Sequence, residues 1–70
     1  MKKNRVGTQE LKPDDVFFLY EDEPEENKRR VVKTGDKVVF YKMEISSGKT
    51  KIPYQGALLI KSKTFVFRAE

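Results

Sequence analysis

Residues 37–46 read KVVFYKMEIS, and this stretch decides the fold class. Successive side chains of a β-strand point to opposite faces of the sheet. The odd-numbered positions from Val39 to Ile45 are all apolar, whereas the even-numbered positions change from apolar to charged at Lys42 and Glu44. The alternation predicts a strand whose odd-numbered side chains face the core.

Short apolar segments separated by turn residues fill most of the remaining chain, which is typical of strands. Ser46-Ser47-Gly48-Lys49 predicts a hairpin turn, since glycine adopts positive φ without steric cost. Pro53 lacks a backbone N–H, so the return strand is expected at a sheet edge. Gln55-Gly56 should end that strand, and residues 57–60 fit either a strand or a short helical turn. The other predicted strands are residues 16–20, 28–33, 50–54 and 64–69.

The pattern predicts an all-β fold: a small antiparallel sheet or a partly closed barrel of five to six short strands, without a long helix. Residues 12–70 would form a single small β domain behind a flexible N-terminal segment, residues 1–11. Alternatively, Val6 and Leu11 could dock as a lid or short strand. The expected core residues are Phe17, Val39, Tyr41, Met43, Ile45, Leu58, Phe65 and Phe67.

The chain has no cysteine and no histidine, which removes disulfides, thiolate chemistry and the commonest general base. Its serines therefore lack a histidine to activate them, and no phosphate-binding glycine loop is present. We expect no enzyme activity, no catalytic, metal or cofactor-binding residues and no small-molecule substrate. Small domains are commonly stabilised by disulfides, bound metals or self-association, and of these the sequence leaves self-association possible.

Five carboxylates lie between residues 21 and 26, interrupted by Pro24. Calcium loops alternate their ligands and include a turning glycine, and this run has neither feature. We interpret it as a solvated loop that is dispensable for folding.

Charge is distributed unevenly along the chain. Residues 1–26 contain four basic and eight acidic residues, a net charge of −4, whereas residues 27–70 contain eleven and three, a net charge of +8. A basic segment with interspersed aromatic rings is typical of single-strand nucleic-acid binding, in which bases stack on the rings. The same rings could instead complete the core through cross-strand pairs. The candidate binding face comprises Arg30, Phe40, Lys42, Lys51, Tyr54 and Arg68.

Two functions remain open. The first is a small interaction or assembly module that binds a protein partner or itself, through a strand edge or the apolar run 16–20. The alternative is a nucleic-acid-binding module that uses the basic and aromatic face of residues 27–70. The assembly hypothesis ranks slightly ahead, because no specific nucleic-acid motif appears. The longest apolar run is far too short to cross a bilayer, so we expect a cytoplasmic protein without a membrane partner.

Overall fold

The computed structural model describes residues 2–70 and arranges them as six antiparallel strands in one sheet. The antiparallel-sheet prediction is confirmed, and within these residues the sheet does not close into a barrel. The helical elements of the described part are two 3-10 turns of three residues each, Thr8–Glu10 and Glu25–Asn27. The strands are β1 (Lys3–Gly7), β2 (Val16–Phe18), β3 (Arg29–Thr34), β4 (Val38–Ser47), β5 (Thr50–Leu59) and β6 (Phe65–Ala69), in the spatial order β1-β6-β2-β3-β4-β5.

The N-terminal segment belongs to the sheet. Residues Lys3–Gly7 pair with β6 along their whole length. Val6 packs against the core and Leu11 is buried in it. The prediction of a flexible segment over residues 1–11 is therefore wrong for residues 3–7, which form the short strand that was the alternative. Met1 lies outside the described residues. The apolar positions Val6 and Leu11 explain the docking, since both lose water contact.

The core lies on one side of the sheet, which we call the inner face. Its fully buried members include Phe17 on the central strand β2, Val31 on β3 and Val39 on β4. The ring of Tyr41 meets the ring of Phe17 edge to face, with 5.8 Å between centroids and 87° between planes. Tyr41 and Leu58 pack against this cluster, so these positions, with Phe17 and Val39, fit the predicted core.

The last strand presents the opposite face from the one predicted. Val66 is fully buried in the inner core, whereas Phe65 is 49% exposed and Phe67 is half-buried. Ile45, also expected in the core, is 44% exposed. In β6, three consecutive apolar residues leave the strand's orientation undetermined by period alone, and in the structure Val66 joins the core cluster that contains Phe17.

Strands β4 and β5, of ten residues each, form a hairpin around Gly48, whose φ is +63°. β5 does not end at Gln55-Gly56, and Ala57–Leu59 continue it as strand. A Cβ at Gly56 would lie 2.6 Å from the ring of Tyr41, so the glycine leaves room for that ring. β5 is an edge strand, as Pro53 predicted.

The hairpin extends past the third strand. The pairing of β3 with β4 ends at Arg30 and Lys42, while the pairing of β4 with β5 continues to Ser47 and Thr50. We call residues 43–54 the arm. Against its β3 side lies the 3-10 turn Glu25–Asn27. None of the described helical turns is long and apolar enough to cross a membrane.

The two phenylalanines Phe17 and Phe65 provide a matched test of the inner face. Phe17→Ala removes a fully buried ring and should cost about 3–5 kcal/mol of unfolding free energy, enough to unfold a domain of this size. Phe65→Ala removes a half-exposed ring and should cost about 1 kcal/mol. Urea denaturation followed by circular dichroism measures both, and equal losses would contradict the assigned faces.

Candidate functional site

A polar row crosses the face opposite the core, which we call the outer face. Register places Val16 opposite Arg30, Arg30 opposite Lys42, and Lys42 opposite Gln55. Directly opposed residues of antiparallel strands project to the same side. Four adjacent strands therefore bring two cations side by side, although they lie twelve residues apart in sequence.

Four of the six predicted site residues share the outer face. Phe40 lies two positions from Lys42 on β4, and Lys51 lies opposite Ser46, which is also on the outer side of that strand. Phe40 is 36% exposed, and Lys42 and Lys51 are exposed. Together with Arg30, these residues form the site as the structure assembles it.

Tyr54 and Arg68 are not brought to this face. Tyr54 lies opposite Met43, and its ring is 6.5 Å from the ring of Tyr41 on the inner face. Arg68 lies opposite Phe17 in the register and approaches Asp15 at 3.9 Å. Period two places both residues on the inner face, on which Phe17 and Tyr41 lie, so the structure separates them from the other four predicted residues. Tyr54 nevertheless borders a groove on the side of the arm.

A groove of about 990 Å³ follows the outer row on the side of the arm. Arg30 and Lys42 line the groove on β3 and β4, and Lys51 lines it on β5. Lys28 and the carboxylates of Glu25 and Glu26 line it from the loop. A volume of this size is at the upper end of the range for small-ligand pockets, and the groove is open to solvent.

The cations of the groove are available to an anion. Lys42 and Lys51 form no ion pair or side-chain hydrogen bond with any of residues 2–70, and Arg30 donates to the backbone oxygen of Asp14 at 3.3 Å. Lys28 lies 3.9 Å from Glu25, and both side chains are about half exposed. Exposed pairs of this kind contribute about 0–1 kcal/mol, so a ligand phosphate competes readily for Lys28.

Lys33 also belongs to the outer face, and the sequence pattern misses it. The register shifts at a bulge between Val31 and Lys33, which places Lys33 opposite Phe40. Its ammonium lies 5.0 Å from the centre of the Phe40 ring, close enough for a cation–π contact. Without the bulge, strict alternation would turn Lys33 to the inner face. Nothing in the local sequence marks the extra residue.

A second aromatic and basic pair lies at the other edge of the sheet. The guanidinium of Arg5 on β1 lies 4.6 Å from the centre of the exposed Phe65 ring on β6. Between the two pairs, Phe18 is fully buried although it alternates with Phe17 on β2. The ammonium of Lys3 lies 4.0 Å from the Phe18 ring and donates to backbone oxygens of the acidic loop.

The acidic loop is anchored by one of its five carboxylates. Glu23 accepts hydrogen bonds from the backbone N–H groups of Leu19 and Tyr20, at 2.6 and 3.3 Å. It also pairs with the guanidinium of Arg29 at 2.9 Å, and both side chains are about nine-tenths buried. The other four carboxylates are exposed, as expected for a solvated loop. Glu23 corrects the expectation that the loop is dispensable, because its removal would leave Arg29 buried without a counter-charge.

Burial raises the pKa of Glu23, but the hydrogen bond from Arg29, the backbone N–H of Leu19 and the charge of Arg29 together lower it below its usual value. The carboxylate is therefore ionised and holds the loop as a wall of the groove at neutral pH. Because the pKa of Glu23 is lower in the folded than in the unfolded chain, ionised Glu23 stabilises the fold, and this stabilisation is fully present above the pKa of the unfolded chain. That stability is lost as the pH falls through the folded value.

No family model matches the chain, and neither the curated proteins nor the solved structures contain a significant match. The site must therefore be interpreted from its geometry.

Replacing Glu23 with glutamine tests the anchor. Glu23→Gln should lower the unfolding free energy by about 3 kcal/mol near pH 7, because the buried Arg29 loses its partner. Glu25→Gln, in the exposed pair with Lys28, should lower it by less than about 1 kcal/mol.

Urea denaturation at several pH values measures these losses. The difference between wild type and Glu23→Gln should shrink as the pH falls through the lowered pKa of Glu23 in the folded protein, because the wild-type carboxylate then also becomes protonated. A difference that is independent of pH, or equal losses in the two variants, would contradict the anchor.

Proposed function

We propose that this protein is a non-catalytic module that binds single-stranded nucleic acid on its outer face. The observation that carries the proposal is the placement of Arg30, Lys42 and Lys51 along one open groove, with Phe40 on the same face. Cations that follow a phosphate backbone beside an exposed ring are the elements that sequence-tolerant single-strand binding uses. The outer face thus offers both charge and a stacking surface.

Burial of the apolar run changes the ranking of the two functions. Phe17 and Phe18 are fully buried on opposite faces of β2, so the segment that favoured assembly offers only Tyr20 as an exposed large apolar side chain. The sheet edges are also poorly suited to strand addition. β5 contains Pro53, which cannot donate to an added strand, and the short β1 carries charged side chains, including Lys3.

The geometry favours a single strand over a duplex. Lys33 and Lys42 flank the Phe40 ring, one by the cation–π contact and the other two positions along β4. A base that stacks on an exposed ring must have one face free of its neighbouring base, which the continuous stack inside a duplex does not allow. The flanking cations are placed to contact the adjoining phosphates.

Salt dependence tests the phosphate contacts. Four contacts, from Arg30, Lys33, Lys42 and Lys51, predict a slope of about −3 for log K against log salt with single-stranded DNA. Affinity for a labelled oligothymidylate should then fall about fiftyfold between about 50 and 200 mM salt. Fluorescence anisotropy measures the titration, and an affinity insensitive to salt would refute the proposal.

Matched charge reversals test the position of the site. Lys42→Glu and Lys61→Glu change the net charge equally, but Lys61 lies in the turn after β5, away from the groove lining. Lys42→Glu should weaken binding about tenfold more than Lys61→Glu does. Phe40→Ala should cost about 1–3 kcal/mol of binding free energy through the lost stack. Equal effects of the two reversals would show that only net charge attracts the strand.

A further inference from the structure

We propose that the inner face of the arm is the contact surface of a symmetric homodimer. This surface is apolar and exposed: Ile45 pairs with Ile52 across the hairpin, and the two side chains are 44% and 49% exposed. Met43 and Tyr54 form the next pair, and Tyr54 is 45% exposed. Four contiguous apolar side chains on one face of a two-stranded ribbon are typical of a surface that another molecule covers.

The arm lacks support in the monomer. Residues 43–54 extend beyond the last pairing of β4 with β3, so the inner face of the arm has no third strand beside it. A two-stranded hairpin alone is marginally stable in water, and packing of its apolar face stabilises it. Without cysteine, self-association is also the support that remains available to so small a domain.

Charge complementarity identifies the occupant as a second copy. Lys49 lies in the turn at the tip of the arm, whereas the exposed Glu26 borders a recess at its base. A twofold axis perpendicular to the arm places two arms antiparallel, so the tip of each copy meets the base of the other. This arrangement brings opposite charges together at both ends of the apolar contact, and a parallel arrangement would bring like charges together.

A buried donor at the base lacks an acceptor. Arg29 Nε is buried and has no hydrogen-bond partner among residues 2–70, although Glu23 accepts from the other guanidinium nitrogens. Arg29 also lines the recess of about 310 Å³ between the turn Glu25–Asn27 and the arm. In the antiparallel dimer this recess receives the tip of the second copy, where the hydroxyl groups of Ser47 and Thr50 lie on the inner face.

Sedimentation velocity over a range of protein concentrations tests the dimer. The patch is small compared with a standard interface of about 800 Å² per partner, so concentrations up to about 1 mM are required. We expect a reversible monomer–dimer equilibrium. Ile52→Ser should weaken it about tenfold or more, whereas Leu59→Ser, on the outer side of the same strand and 55% exposed, should leave it unchanged. A wild-type monomer at all concentrations, or equal effects of the two changes, would overturn the proposal.

A charge exchange tests the antiparallel arrangement independently of the apolar contact. Lys49→Glu and Glu26→Lys should each weaken the dimer several-fold, and the double variant should restore it, because opposite charges again meet at both ends. Lys51 stays unchanged in these variants because it lies on the outer side of the arm, opposite Ser46, and away from the proposed contact. Thermal melting by circular dichroism confirms that each variant is folded. A double variant weaker than either single variant would overturn the antiparallel dimer.

Discussion

The edge-to-face contact of Phe17 with Tyr41 determines which side of the sheet carries the hydrophobic core. Phe17 lies on the central strand with no exposed surface, and Tyr41 reaches it from β4. Once Tyr41 points inward, its neighbours Phe40 and Lys42 must point outward. Gly56 contributes by leaving space for the tyrosine ring on the adjacent edge strand. The chemistry of the outer face thus follows from one pair of rings in the core.

The two faces suit different partners. The outer face carries exposed cations and cation–π pairs at the exposed rings of Phe40 and Phe65, which suits an anionic strand. The inner face of the arm carries isoleucines and a tyrosine, which suits an apolar surface. Because the two sets alternate along β4 and β5, a single hairpin can present both surfaces without either interfering with the other. The acidic loop borders both, and the buried pair of Glu23 with Arg29 holds it in place.

The sequence predicts those features that depend on period and turn chemistry. Strand β4, the turn at Gly48 and the edge position of Pro53 follow from residues 37–53 alone, and so does the common face of Phe40 and Lys42. The orientation of β6 cannot be predicted in this way, since Phe65, Val66 and Phe67 are all apolar and either face satisfies the pattern. Tertiary packing against Phe17 selects Val66.

Other errors of the sequence-based prediction concern contacts between residues distant in sequence, or features that the local sequence does not indicate. Glu23 resembles its four acidic neighbours in sequence, and only its meeting with Arg29 distinguishes it. Lys33 reaches the outer face through a bulge. Arg68 and Tyr54 match the basic and aromatic composition of the site, but their strand positions place them on the other side of the sheet.

Side-chain NMR during titration with oligothymidylate tests the separation of the two faces most directly. The Phe40 ring and the ε-methylene groups of Lys33 and Lys42 should shift in proportion to bound strand. The methyl groups of Ile45 and Ile52, which alternate with them on the same hairpin, should remain unchanged at constant protein concentration. Perturbation of the isoleucine methyl groups with an unaffected Phe40 ring would place the ligand on the inner face and contradict this assignment of the faces.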